Sequence, residues 1–176
     1  ELVISVTVLG AAPVDHIRYR SDARSGDALM LAGVIGESGA GLHLLQHDTA
    51  LPDDVVAALV RRHLEPEPLL GEGVWLAKSG RVGAMMDVSD GIASDVGHIC
   101  SQSSEKHGAP IGVRIQSTNL PISESLAHFV GAINNPSSMG TEPGVGSVPG
   151  IGCNILDYLL RAGEDYALLF TTAAAD

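Results

Sequence analysis

"MMDVSDGI", residues 85–92, closes an apolar run with two carboxylates and a hydroxyl inside four positions, then a glycine. Residues 82–88 read as a buried strand and 91–100 as a helix, with Ile92, Val96 and Ile99 facing inward. Asp87 therefore falls at the C-terminal end of a strand, and Ser89-Asp90-Gly91 forms the turn into the helix. In open α/β sheets ligands bind beyond the strand C-termini, and a helix N-terminus adds free N–H groups and the positive end of a dipole. Carboxylates three positions apart suit a hard cation such as Mg²⁺, which prefers oxygen ligands, and Ser89 suits a phosphate oxygen. A plainer reading makes Asp90 the helix N-cap and Asp87 a turn former. Spacing alone leaves both open. An EF-hand is excluded, because the glycine comes one place early and no Glu closes the loop.

Outward from this turn, strands and helices alternate. Residues 1–9 alternate Leu2, Ile4, Val6 and Val8 with polar positions and read as a strand. Residues 10–27 read as a connection carrying Arg18, Arg20 and Arg24. Residues 28–32 form a second, buried strand, followed by a glycine-rich loop over 33–41 and a helix to about residue 46. Pro52, Asp53 and Asp54 open a helix whose last turn holds Arg61, Arg62 and His63, the arrangement a helix dipole favours. A short helix is expected at 74–78, a strand at 111–115, helices at 123–130 and 155–161, and a strand at 165–171. Residues 131–154 hold six glycines, three prolines and no basic residue, and are expected to be a mobile loop or insertion. The class is mixed α/β.

Composition removes several functions. The formal net charge is −11 in 176 residues, which argues against a nucleic-acid or acidic-membrane surface. Aromatic residues make up only 3%, so the core must be built mainly from Ala, Val, Leu and Ile. Two cysteines without a CxxC make no disulfide framework, and a reducing, cytoplasmic setting is expected. No apolar run is long enough to span a bilayer. The opening lacks the basic region of a signal peptide. The chain does not begin with Met, and is expected to be a piece of a larger protein.

Other candidate residues carry weaker signals. The loop over 33–41 is neither a Walker A nor a GxGxxG, and its glycines serve either ligand approach or tight helix–sheet packing. Gly163-Glu164-Asp165-Tyr166 places two acids before a buried strand, as a solvated rim or as a partner for a cationic substrate. His43 and His47, four apart, lack the Glu of a zinc HExxH motif. Arg18 and Arg20 suit a phosphate clamp or solvent. Cys100 is most simply core.

Several pieces in order resemble the thiamine-monophosphate kinase family of the PurM-like superfamily, which includes aminoimidazole-ribonucleotide synthetase, selenophosphate synthetase and a hydrogenase-maturation protein. They are "ISVTVLG", "RSDARSGD", "GVIGESGAGL", "HLEPEPLLGEG", "MMDVSDGIASDVGHI", "NLPIS" and "AGEDYALLFT". DVSDG and GEDY are the most specific. The resemblance implies a C-terminal PurM-like domain over 13–176, a layered mixed sheet with helices. It also implies that residues 1–12 are the last strand of an N-terminal ATP-binding domain that lies outside the chain. It implies ATP-dependent phosphorylation of thiamine monophosphate to thiamine diphosphate, several Mg²⁺ ions, and a cytoplasmic homodimer formed through the N-terminal domain. By matched position, Asp87 and Asp90 would bind Mg²⁺, and Ser89 and Arg20 would contact ATP, with Arg18 as the competing alignment. Glu164 would bind the thiamine moiety. No catalytic base is implied, and residues 1–176 alone are expected to be inactive. Two other readings remain: another ATP-dependent enzyme of the superfamily, or a non-catalytic binding domain of the same fold.

Overall fold

The structure is a computed structural model and describes residues 2–134 and 154–174. Most of the glycine- and proline-rich segment expected at 131–154 lies outside the described residues. Among those described, three strands form one sheet: β1 (Asp27–Ala32), β2 (Val82–Asp87) and β3 (Leu168–Ala173). Six α-helices surround it: α1 (Glu37–Gln46), α2 (Asp53–Leu64), α3 (Leu70–Lys78), α4 (Ile92–His107), α5 (Glu124–Ile133) and α6 (Ile155–Arg161).

β3 is the central strand, and both neighbours pair with it antiparallel. Its burial explains the choice. Leu169, Phe170 and Thr171 are all buried, whereas Met30 on β1 is exposed. β1 is thus an edge strand and only partly covered, not the buried strand its composition suggests. The β2–β3 register is irregular between Val82 and Met85, and the buried Thr171 hydroxyl fills the gap by accepting from the Ala84 N–H at 3.0 Å.

The main core lies between the sheet and α1, α2, α4, α5 and α6. Ile35, Leu59, Val88, Ile99, Leu126 and Leu169 are nearly inaccessible. Ile92, Val96 and Ile99 point inward as the helical period predicts. Phe129 and Tyr158 lie at its centre, where Phe129 meets Tyr158 and His43 edge-on, each with ring centroids 5.2 Å apart. His43 is buried against Phe129 and near the Tyr158 hydroxyl, and burial depresses its pKa. It is a core residue, and among the described residues no cluster of three or more His, Cys, Asp or Glu could hold a metal. Cys100 packs against the same core, as expected.

Three elements differ from expectation among the described residues. The three strands pair antiparallel rather than as a mixed sheet. Residues 2–9 form no strand, and Leu2, Ile4, Val6 and Val8 are exposed. Residues 111–115 likewise make no ladder. In both places alternation marks a capacity to pair, and a strand exists only where a neighbour supplies the other half of its hydrogen bonds.

Candidate functional site

The turn after β2 is built around a residue that strand and helix periodicity do not reveal. The N-cap of α4 is Gly91, with φ 92° and ψ 148°, and no side chain caps it. Asp95, four residues inside the helix, reaches back instead. Its Oδ2 accepts from the Ser89 N–H at 3.0 Å and from the Asp90 N–H at 3.1 Å. Asp95 is 1% exposed, and its Oδ1 is buried with no partner among the described residues. Burial pushes its carboxyl above the usual range, against the two amide bonds and with the repulsion of Asp90 and Asp87. The only advance signal was an acid in the first turn of a helix.

This arrangement decides what the turn offers to a ligand. The Ser89 and Asp90 amides are taken by Asp95, so they do not present themselves to a phosphate as the sequence suggests. Asp90 is not the N-cap. Asp87 and Asp90 are both exposed, and neither carboxylate forms an ion pair or hydrogen bond among the described residues. Two unneutralised acids at one turn are the donor set a hard divalent cation takes.

The arginine segment is brought to the same place. Ser103 on α4 accepts from the Ala23 N–H at 3.1 Å and donates to the Arg20 carbonyl at 3.3 Å, fastening residues 20–23 across the helix. The Met85 N–H reaches the Tyr19 carbonyl at 3.4 Å along the outer edge of β2. A cleft of about 490 Å³ results, lined by Arg18, Arg20, Met85, Asp87, Ser89 and Gln102 among others. The two arginines differ there. Arg18 donates to the Ala77 carbonyl and its Nε is buried, so it is held in place. Arg20 is exposed, and no carboxylate among the described residues pairs with it.

The Gly163–Tyr166 turn lies against the other side of Ser89. The Glu164 N–H donates to the Ser89 carbonyl at 2.9 Å, and the Tyr166 N–H to the Val88 carbonyl at 2.9 Å. Glu164 and Tyr166 have φ of 65° and 51°, the left-handed region that non-glycine residues seldom occupy. The Tyr166 hydroxyl donates to Glu164 Oε2 at 2.6 Å. Asp165, between them, points the opposite way. Its carboxylate accepts from the Gly36 N–H at 2.6 Å and the Ser38 N–H at 3.1 Å. It therefore caps α1, and the glycine-rich loop is closed by the protein's own acid rather than left open for an anion. Packing accounts for its glycines: a Cβ on Gly41 would lie 2.1 Å from the Leu59 carbonyl oxygen. Glu37 beside this cap pairs with Arg62 at 3.0 Å, and Ser38 Oγ lies 3.0 Å from His63 Nδ1.

Burial pushes the Asp165 carboxyl up to about 6, opposed by the two amide bonds and reinforced by Glu37. A carboxyl that binds its proton more tightly in the folded chain stabilises the fold where it is protonated. That contribution is complete below the ordinary value of 3.8 and is lost as the pH rises through about 6. From about pH 4 to about pH 7 the parent protein should lose about 2 kcal/mol relative to the Asp165→Asn variant. Urea midpoints of the two proteins across that range measure it; a constant difference would show that Asp165 titrates normally.

No protein-family model matches the sequence. Comparison with curated proteins finds thiamine-monophosphate kinases. The one from Buchnera aphidicola subsp. Schizaphis graminum is 33% identical over 171 residues, 97% of this chain and 44% of that protein. The Aquifex aeolicus protein is 30% identical over 168 residues, 96% of this chain and 46% of that protein. The Escherichia coli K12 protein is 32% identical over 171 residues, again 97% and 44%. The chain thus spans less than half the length of the curated relatives it matches. Among solved structures, thiamine monophosphate kinase from Aquifex aeolicus superposes with a TM-score of 0.68 at 30% identity, over 88% of this chain and 44% of that one. A structure described as AaThiL complexed with AMPPCP and TMP gives 0.66 at 31% identity, over 87% and 41%.

Proposed function

We propose, from a kinship with the thiamine-monophosphate kinases that runs along nearly the whole chain, that the protein containing it transfers the γ-phosphoryl group of ATP to thiamine monophosphate. The observation that carries this reading is a gathering of groups. Arg20, Asp87 and Ser89 line one cleft, and the Glu164 turn is hydrogen-bonded to the back of Ser89.

In the reaction, a phosphate oxygen of thiamine monophosphate attacks the γ-phosphorus of ATP. The bond to the bridging oxygen of ADP breaks, and thiamine diphosphate and ADP leave. The nucleophile is already an anion, so no protein base is needed. The obstacle is holding two polyanions in line, which is a problem of positioning and charge. Asp87 and Asp90 would hold Mg²⁺, whose chemistry is to neutralise the phosphate oxygens. Their exposed, unpaired carboxylates fit that ion. The described residues contain no larger cluster of metal-ligating side chains, so this chain would supply part of the coordination. Arg20 would place a fixed cation on the nucleotide phosphates, and Ser89 a hydroxyl donor. Glu164 would bind the thiamine, whose thiazolium ring carries a positive charge.

Residues 13–176 are read as the C-terminal domain of a cytoplasmic homodimer. No helix among the described residues is long and apolar enough to cross a membrane. Calorimetry on the whole protein with AMPPCP, Mg²⁺ and thiamine monophosphate tests the reading. Both ligands should bind, the nucleotide only with Mg²⁺. Nucleotide binding without thiamine monophosphate binding would favour another enzyme of the superfamily, and binding of neither would leave a non-catalytic domain.

A further inference from the structure

The turn Gly163–Tyr166 places two residues in the left-handed region with one residue between them. Such backbone is strained and persists only where its surroundings hold it. Three attachments do so here. The Glu164 N–H is bound to Ser89 and the Tyr166 N–H to Val88. The Asp165 carboxylate is bound to two amides at the start of α1. Asp165 alone is turned into the protein. Its neighbours are turned outward on the other side, where the Tyr166 hydroxyl meets Glu164 Oε2 at 2.6 Å.

We propose that Tyr166 is a positioning residue for Glu164: its hydroxyl fixes the carboxylate that faces the cationic ring of the phosphate acceptor, and Asp165 locks the turn that brings the two together. This rests on the assignment of Glu164 to the acceptor site. A free glutamate on an exposed turn samples several rotamers, and ordering it costs binding free energy. A short bond from a phenol removes much of that cost before the ligand arrives. The phenol is suited to the task because it donates to an anion without adding a cation that would compete with the thiazolium. Hydrogen bonding to Glu164 raises the Tyr166 pKa, with Asp87 adding to the rise. The hydroxyl thus keeps its proton and lies within electrostatic reach of the Asp87 carboxylate.

The test uses the whole enzyme and steady-state kinetics with both substrates. Tyr166→Phe removes the hydroxyl and leaves the ring. It should raise KM for thiamine monophosphate about tenfold. The same change should alter kcat and KM for ATP by less than about twofold. In an enzyme already carrying Glu164→Gln, which accepts a weaker bond and has no charge, adding Tyr166→Phe should have little further effect, because the two residues act as one unit. An unchanged KM for thiamine monophosphate in Tyr166→Phe would overturn the inference, as would additive effects of the two substitutions. So would an equal disturbance of both KM values and kcat, the mark of a merely structural role. If Glu164→Gln itself leaves KM for thiamine monophosphate unchanged, the assignment of Glu164 to the acceptor falls as well.

Discussion

Replacing Gly163 by Ala should destabilise the protein by about 3 kcal/mol or more. A Cβ at this position would lie 2.2 Å from the Ser89 carbonyl oxygen, 3.0 Å from the Ser89 carbonyl carbon and 3.1 Å from the Asp90 Cα. Every atom it meets is backbone, so no rotamer change can relieve the contact. Either the 163–166 turn or the 87–91 turn must move, and the bond from the Glu164 N–H to the Ser89 carbonyl is lost. Gly163 does not occupy the left-handed region, so the argument is close approach alone. Denaturant midpoints at unchanged slope measure the effect. Gly97→Ala provides the contrast. Gly97 lies inside α4, and a Cβ there meets nothing within 4 Å. That substitution should stabilise the helix by about 0.5–1 kcal/mol. If the two variants unfold alike, the two turns are not packed as described.

Gly163 also shows what a sequence can and cannot reveal. Glycine after a helix is expected as a C′ residue, since many helices end in a left-handed glycine. Here the helix C-cap is Ala162, in extended conformation, and Gly163 is present because another turn crosses it. Such a reason is nonlocal and leaves no periodic trace. The helices, by contrast, were legible because each buries one face. α2 and α6 run where their caps and apolar positions place them, and α4 begins where Gly91 ends the strand turn. The apolar period predicts α4 only to residue 100, because Ser101 to His107 carry none, whereas the helix runs to His107. Ser103 and Ser104 instead fasten the helix to residues 20–23 and to Ile111, and Gly108 ends it with φ 64°. At the site, the residue types that carry charge were visible and their supports were not. Asp87, Ser89, Asp90, Arg20 and Glu164 follow from motif and resemblance. Asp95, Ser103, Asp165 and Tyr166 hold them through contacts that only the folded chain creates.

Asp87→Asn in the whole enzyme should lower kcat/KM roughly 1,000-fold, about 4 kcal/mol of transition-state stabilisation. The amide keeps the shape of the carboxylate and removes its charge, so a loss of this size would report on what the charge holds. Raising Mg²⁺ should recover part of the activity if that role is to bind metal, because weakened metal affinity is offset by concentration. Asp54→Asn, an equally exposed acid in the first turn of α2, should change kcat/KM by less than about twofold. Stability should move the other way. Asp87 has no partner among the described residues, and its charge opposes that of buried Asp95. Removing it relieves repulsion, so the variant should unfold at the same denaturant concentration as the parent or slightly higher. Loss of turnover without loss of stability would place the reason for this acid in the ligand and not in the fold. Parental kcat/KM in Asp87→Asn at every Mg²⁺ concentration would remove that reason, and with it the proposed role of the turn over residues 87–91.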